Sequence, residues 1–301
     1  MQSFASTADA VAATTRKNEK VRLVAAYFLS RPLEEAAQAA VFFSGRAFPA
    51  WEERTLQVGG SLLWRAVGEI SGKPDVALTA AYRRHGDLGS AAQELLENIA
   101  PAESTLSSAD VNAIFDELSR TSSAAQRLRL LEDLLRRATA PEAKYIIKII
   151  SGDLRIGLRE SLVEEAIARA FEEKPSGVQR ANMLLGDIRE TLRLAARHQL
   201  HQAKMRLFHP LGFMLASPAQ DAAEAFSYFT HAAVEDKYDG IRAQAHIGGT
   251  KDPRVRLFSR TLDEISQSFP ELPPALRAFP DPVILDGEIL AWNSRANQAL
   301  P

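Results

Sequence analysis

The chain has 301 residues, an apolar fraction of 46%, a charged fraction of 25% and a net charge of −2, the composition of an ordinary globular protein with room for two cores. It has no cysteine, which excludes disulfides and thiolate metal sites, zinc knuckles included, and agrees with a reducing compartment. No apolar run approaches the ~20 residues that cross a bilayer, and Met1 to Lys20 carries neither a signal core nor an Arg/Ser-rich presequence, so a cytoplasmic protein without membrane contact is expected.

Charge is spread unevenly. Residues 121–206 hold 16 Lys/Arg against 11 Asp/Glu, which leaves the remainder at −7. Such a basic segment suits a phosphate-binding surface, although a solvated helix face has the same composition. From the start to about residue 204 almost every segment reads as helix. Apolar spacing predicts short helices at 19–30, 33–42, 61–70, 88–98 and 109–120. Residues 126–137 put Leu128, Leu131, Leu134 and Leu135 on one face, with Arg127, Arg129, Arg136 and Arg137 around the remaining arc. Residues 162–171 repeat the pattern, and Ser161 with Glu164 reads as a capping box at their start. Pro141 and Pro175-Ser176-Gly177 punctuate the helices, and no repeat period is evident. The expectation is an all-α domain over 1–204.

After Arg206 the texture changes. Pro210, Gly212 and Pro218 mark 205–220 as a linker, and 221–301 reads as the beginning of an α+β domain. A short helix is predicted at 221–231, then alternating strands at 241–247 and 254–260 around a Gly248-Gly249 turn. A proline-rich stretch, 270–282, leads to 283–292, strand-like on either side of Asp286-Gly287-Glu288. So short a segment with an unfinished sheet does not readily close a core around a nucleotide. The chain therefore reads as truncated.

The chemistry concentrates at 235–242. Lys237 stands where helix gives way to strand, the position of a candidate covalent nucleophile; its amine attacks phosphorus only when deprotonated, so it needs desolvation or neighbouring cations. Arg242 has the planar fork for phosphate or ribose oxygens, and Arg260 supplies a second clamp. Gly240 lets backbone approach a ligand, while Asp239 can orient the lysine or cap the turn. Glu235 offers an acceptor for an exocyclic amine, and Glu288 one for a ribose hydroxyl or metal-bound water. Glu288 sits in an apolar strand, where a buried carboxylate needs partners. In the helical part, Gly152 and Gly157 permit close backbone approach to a duplex, and Arg155 and Arg159 are expected to project toward its phosphates. The six histidines show no metal-ligand spacing, and no residue is assigned to a metal.

The run Glu235-Asp-Lys-Tyr-Asp-Gly-Ile-Arg242 resembles motif I of the ATP-dependent DNA ligases, in the covalent nucleotidyltransferase superfamily. Phe258-Ser-Arg260 is similar to motif Ia and Asp286-Gly-Glu288 to motif III. Upstream, His85-Gly-Asp-Leu-Gly89 and residues 144–158 resemble the helical DNA-binding domain that precedes the catalytic core in larger members, and Pro210 through Met214-Leu215-Ala216 resembles the interdomain segment. The likeness covers nearly the whole chain. It implies an all-α DNA-binding domain followed by the start of an adenylation domain, acting through a lysyl-AMP on Lys237, with ATP and Mg2+ as cofactors. Glu235 would contact adenine, Arg242 and Arg260 would hold ribose and phosphate, and Glu288 would take the ribose hydroxyl. The implied partner is nicked double-stranded DNA, with a sliding clamp or repair proteins as further candidates. The setting would be replication, repair or recombination, the state a monomer, and the place the cytoplasm (the nucleoid in a bacterium).

The family continues past the equivalent of 293–301 to an adenine-stacking aromatic, a metal-binding glutamate, further lysines and an OB-fold. Residues 1–301 by themselves are therefore expected neither to adenylate efficiently nor to seal nicks. RNA ligases and capping enzymes share the K-x-D-G signature but lack a large helical DNA clamp. An NAD-dependent ligase would need a leader for the nicotinamide mononucleotide and zinc-finger cysteines. A non-catalytic DNA-binding protein, with 1–204 as its working part, is the rival from a different class.

Overall fold

Helix α1 (Gln2–Ala12) forms because Phe4, Ala5, Ala8 and Val11 recur at helical spacing, and all four are buried. The computed structural model describes every residue except Glu53, Met214, Leu215, Ser294, Ala296, Asn297, Leu300 and Pro301. Part of the segment likened to the interdomain region, Met214-Leu215, and much of 293–301 thus lie outside the described residues. The chain divides into two units, Met1–Lys204 and Met205–Pro301. The first is all-α and the second α+β.

The helical unit continues with α2 (Lys17–Leu29), α3 (Leu33–Phe43), α4 (Gly60–Ser71), α5 (Asp75–His85) and α6 (Leu88–Leu96). Then follow α7 (Ser108–Arg120), α8 (Ala124–Arg137), α9 (Ala140–Ile150), α10 (Glu160–Ala170), α11 (Pro175–Leu185) and α12 (Ile188–Ala196). An aromatic knot gathers in the middle: Phe4 lies 4.4 Å from Phe43 and meets Tyr27, Phe42 and Tyr145 edge-on at 6.0–6.3 Å between ring centroids. Edge-to-face pairs of this kind contribute about 0.5–1.5 kcal/mol each beyond area burial. Leu128, Leu131, Leu134 and Leu135 of α8 are buried as its periodicity requires. Among the described residues no helix is long and apolar enough to cross a membrane.

Side-chain caps fix several helix starts. Asp87 accepts from Ser90 N–H at 2.7 Å, Ser107 and Asp110 form a reciprocal box on α7, and Asp187 accepts from two amides of α12. The box read at Ser161 and Glu164 is not there. Helix α10 begins two residues earlier, at Glu160 behind Arg159, and Glu164 turns inward to accept from Asn182 Nδ2 at 2.8 Å, so it cannot reach back to cap. Pro175 opens α11 as its first residue, where the missing N–H has no intrahelical partner to lose.

Two helices come unusually close. A Cβ built on Gly89 of α6 would stand 2.6 Å from the Lys144 carbonyl oxygen and 2.7 Å from Lys148 Cγ, both on α9. Only a glycine admits this packing. Beside it, Lys148 Nζ lies 3.3 Å from Asp87 Oδ2, the lysine buried and the carboxylate largely so. Burial pushes the Asp87 carboxyl up, but the Ser90 amide and hydroxyl and the Lys148 charge outweigh it and leave its pKa below the usual carboxylate value.

The second unit carries a three-stranded antiparallel sheet in the order β2-β1-β3, with β1 Ile241–Ile247, β2 Val255–Ser259 and β3 Val283–Ile289. A six-residue helix, α13 (Ala222–Ser227), precedes it, α14 (Leu272–Leu276) lies between β2 and β3, and β4 (Trp292–Asn293) pairs with β5 (Gln298–Ala299). The segment read as a linker departs from that reading in its first half. The Phe208 N–H donates to His246 Nδ1 at 2.9 Å, and Leu211 exchanges two hydrogen bonds with the Gln244 side chain at 2.9 and 2.7 Å. Those bonds strap 208–211 along one face of β1. Arg254 lies over the Phe208 ring at 4.3 Å and Arg242 over Phe213 at 4.7 Å. His246 is fully buried; with Nδ1 accepting, its other nitrogen faces Gln244 Oε1 at 3.3 Å. Burial, reinforced by nearby His209, lowers its pKa from about 6.5 to about 4.

Two outcomes follow from this packing. Gly89→Ala should lower stability by about 1–3 kcal/mol through overpacking, read as a drop in the urea midpoint; an unchanged midpoint would contradict the contact. For His246, the unfolded chain takes up a proton below pH 6.5 while the folded imidazole resists until about 4, so stability present above 6.5 is lost as pH falls through that window. The loss amounts to at most about 3 kcal/mol. Hydrogen exchange of β1 amides should accelerate between those pH values, and His246→Leu should give a less stable protein in which that pH dependence is reduced.

Candidate functional site

The register of the sheet decides which of the candidate residues meet. Antiparallel partners share a face, and Arg242 pairs with Glu288 while Gln244 pairs with Asp286. Ser259, just before Arg260, pairs with Ala243, just after Arg242. Arg242, Arg260 and Glu288 are therefore neighbours around one end of the sheet, although they lie far apart in sequence. Arg242 makes a bidentate pair with Asp286, Nε to Oδ1 at 3.1 Å and Nη2 to Oδ2 at 2.8 Å. That hydrogen-bonded pair raises the guanidinium pKa above its usual value. Its position between Asp286 and the Phe213 ring fixes the fork's orientation.

Gly240 explains how the lysine loop joins the sheet. A Cβ there would fall 2.4 Å from the Ile289 carbonyl oxygen and 2.6 Å from Leu290 Cδ2, so no side chain fits. Its N–H donates to Glu288 Oε1 at 3.3 Å, which ties the loop of Lys237 to the strand of Glu288. The expectation of a buried Glu288 fails: Asp286, Gly287 and Glu288 are all exposed, because β3 is paired on one side only and this end of it is uncovered. Lys237 also lies in solvent, its side chain 87% exposed, with Asp239 Oδ1 at 4.0 Å. Residues 226–241 are exposed throughout, Glu235 included. Neither Glu235 nor Arg260 makes a hydrogen bond or ion pair with the described residues. This end of the unit displays an amine, two guanidinium groups and carboxylates, and none of the described residues encloses the amine.

A second candidate surface lies in the helical unit. Residues 151–159 join α9 to α10, with Leu154 and Ile156 buried and Arg155, Gly157 and Arg159 exposed between and beyond them. The loop and the Ser44-Gly45 turn line a cavity of about 230 Å³. Gly45, Gly152, Arg155 and Gly157 all have positive φ, between 52° and 77°, which concentrates left-handed backbone at its rim. For Arg155 that conformation is strained. Asp153 Oδ1 compensates by accepting the Arg155 N–H at 2.8 Å, and the guanidinium Nη1 donates to the Gly86 carbonyl at 2.6 Å. Arg155 is thus held back against the α5–α6 turn rather than projecting freely, whereas Arg159 is the exposed N-cap residue of α10.

Sequence reasoning missed three parts of these sites. Asp286 belonged to a noted motif but received no role; its diagonal position across from Arg242 is visible only in the register. Phe213 lay in the supposed linker. Gly86 and Asp87 were noted as a motif, yet their link to 152–159 through Arg155 and Lys148 needs the helices side by side. As for a metal, no group of three or more His, Asp or Glu among the described residues could hold one, and Asp286 is already engaged by Arg242.

Residues 1–168 match the family model described as DNA ligase N terminus, and residues 213–301 match that described as ATP dependent DNA ligase domain. The chain is 60% identical over 300 residues to a protein named "Probable DNA ligase" from Koribacter versatilis, covering 100% of this chain and 51% of that one. It is 33% identical over 261 residues to a DNA ligase of Archaeoglobus fulgidus, covering 83% and 46%. With a DNA ligase of Methanopyrus kandleri the identity is 30% over 298 residues, covering 95% and 53%. The chain spans about half the length of these curated relatives. With both family models matched in order along an all-α and an α+β unit, the chain belongs to the ATP-dependent DNA ligases.

Proposed function

We propose that the chain acts within an ATP-dependent DNA ligase that seals nicks in duplex DNA through a lysyl-AMP intermediate. In this reading 1–204 grips DNA, the following segment leads into the sheet, and 221–301 begins the adenylation domain. The observation that carries it is the shared end of the sheet: Glu288 reaches the lysine loop through Gly240 N–H while Arg242 stands opposite in register and Arg260 alongside. The deprotonated Lys237 amine attacks the α-phosphorus of ATP; a P–N bond forms, the P–O bond to pyrophosphate breaks, and pyrophosphate leaves with the electron pair. AMP then passes to the 5′-phosphate at the nick and frees the amine. The 3′-hydroxyl displaces AMP and closes the phosphodiester. Arg242 and Arg260 bind ribose and phosphate oxygens, Glu288 the ribose hydroxyl, and Glu235 the adenine amine.

The helical unit holds the duplex at its phosphates without reading sequence, as a nick sealer must. Left-handed backbone around a cavity with Arg155 and Arg159 supports this use of 152–159. A binding-only reading draws on the exposure of Lys237, whose side chain is 87% exposed and which none of the described residues encloses. Residues 1–301 alone are expected to adenylate poorly for the same reason.

Fusion to the C-terminal half of the Koribacter relative separates the two readings. Incubated with ATP and magnesium, the fusion should carry an AMP adduct on the Lys237 peptide by mass spectrometry. Lys237→Ala should abolish the adduct and reduce sealing by roughly 10⁴-fold or more. A fusion that binds nicked DNA but never shows the adduct would establish the binding-only reading. For the helical unit, Arg155→Ala with Arg159→Ala should weaken nicked-duplex binding by 1–301 and lower its log–log salt slope by about 1–2. A slope equal to that of the parent chain would remove these arginines from the DNA surface.

A further inference from the structure

Beneath the 152–159 loop lies a lysine that the roles above leave unused. Lys20, on α2, is 8% exposed, and no carboxylate among the described residues pairs with it. Its Nζ instead donates to two successive backbone carbonyls across the fold, Ile156 at 2.5 Å and Gly157 at 3.1 Å. Burying a lysine head group is expensive unless its hydrogens are used, and here two of three have acceptors in one short loop. Gly157 is matched to this contact. Its φ is +61°, and a Cβ there would meet Lys20 Nζ at 2.7 Å.

The consequence comes from peptide planarity. In a trans peptide the C=O of one residue and the N–H of the next point in opposite directions. Because Lys20 draws the carbonyls of Ile156 and Gly157 toward itself, the N–H groups of Gly157 and Leu158 face away from it. Neither amide donates to an acceptor among the described residues. They stand just ahead of Arg159 and the first turn of α10. Paired backbone amides beside an arginine are a recurrent way to hold a phosphate oxygen.

We propose that Lys20 is a positioning residue: by pulling two carbonyls inward it presents the Gly157 and Leu158 amides to a backbone phosphate of the nicked duplex. The inference rests on the reading of 152–159 as a DNA surface. Lys20 touches no DNA in this scheme; it sets the orientation of neutral donors that do. Removing it therefore lowers affinity at every salt concentration by a similar factor, unlike removal of a phosphate-bound arginine, which changes the number of counterions released.

The test uses residues 1–301 and a fluorescein-labelled nicked duplex, followed by anisotropy across a salt series. Lys20→Met keeps the stem and loses the donors. Binding should weaken about tenfold, the equivalent of one lost charge-assisted hydrogen bond, with the log–log salt slope unchanged and the thermal transition still cooperative. Parent-like affinity for Lys20→Met would overturn the proposal, as would a slope reduced as much as by the Arg155→Ala/Arg159→Ala pair. If that pair leaves binding untouched, the DNA reading itself has failed, a result separable from the Lys20 outcome. Should Lys20→Met not fold, amide resonances of the parent chain decide: those of Gly157 and Leu158 must move on addition of the nicked duplex. Their remaining still while other resonances shift would refute the assignment.

Discussion

Helix α6 lies so near α9 that one missing side chain, that of Gly89, decides whether the helical unit can assemble as it does. The close approach brings the N-cap carboxylate of α6, Asp87, onto Lys148 in the last turn of α9. It also sets the preceding turn, Gly86, under the Arg155 guanidinium. From there the constraints run outward. The end of α9 fixes where 151–159 starts, Leu154 and Ile156 plug it into the core, and Lys20 holds its second half from below. A buried ion pair adds little stability against an apolar substitute, but removing one partner leaves an uncompensated charge, so Asp87 and Lys148 serve geometry more than energy.

The second unit follows a different economy. Its polar sheet face is covered by a strap, Phe208 to Leu211, whose backbone bonds to the side chains of His246 and Gln244 instead of extending the ladder. Where the strap ends, Arg242 emerges between Phe213 and Asp286, already oriented. An exposed pair such as Arg242–Asp286 contributes at most about 1 kcal/mol to stability; what it supplies is a fork held in one plane. Gly240 and Glu288 then bind the lysine loop to the same edge. The polar groups at this edge are thus prearranged, whereas Lys237 stands in solvent.

Several elements could be read directly from the residues. Strand β1 occupies 241–247, the alternating run itself, and α8 buries the leucines that its periodicity aligned. Helices α1, α5, α9, α11 and α12 were not singled out. Helix α1 is built from small residues around one phenylalanine, and α5 offers only Leu78 and Ala81 to the core. At α11, Pro175 and Gly177 looked like a break, although proline is well suited to a first helical position. The Ser161–Glu164 spacing fits a capping box, but burial of Glu164 against Asn182 overrode it. Glu288 was expected inside because its neighbours Ile284, Leu285, Ile289 and Leu290 are apolar; the uncovered end of β3 leaves it outside.

By itself the sequence determined the family and the order of an all-α and an α+β unit, and it put forward the groups proposed for the chemistry. Each of those is written in residue types at fixed local spacing, which survives without knowledge of the fold. The tertiary structure alone decided which of those groups meet and how they are aimed: Arg242 onto Asp286, Gly240 onto Glu288, Arg155 onto Gly86, Lys20 under Ile156 and Gly157. Such contacts join residues 44 to 137 positions apart, or depend on strand register, and no local pattern encodes them, because they arise only when separate elements pack together.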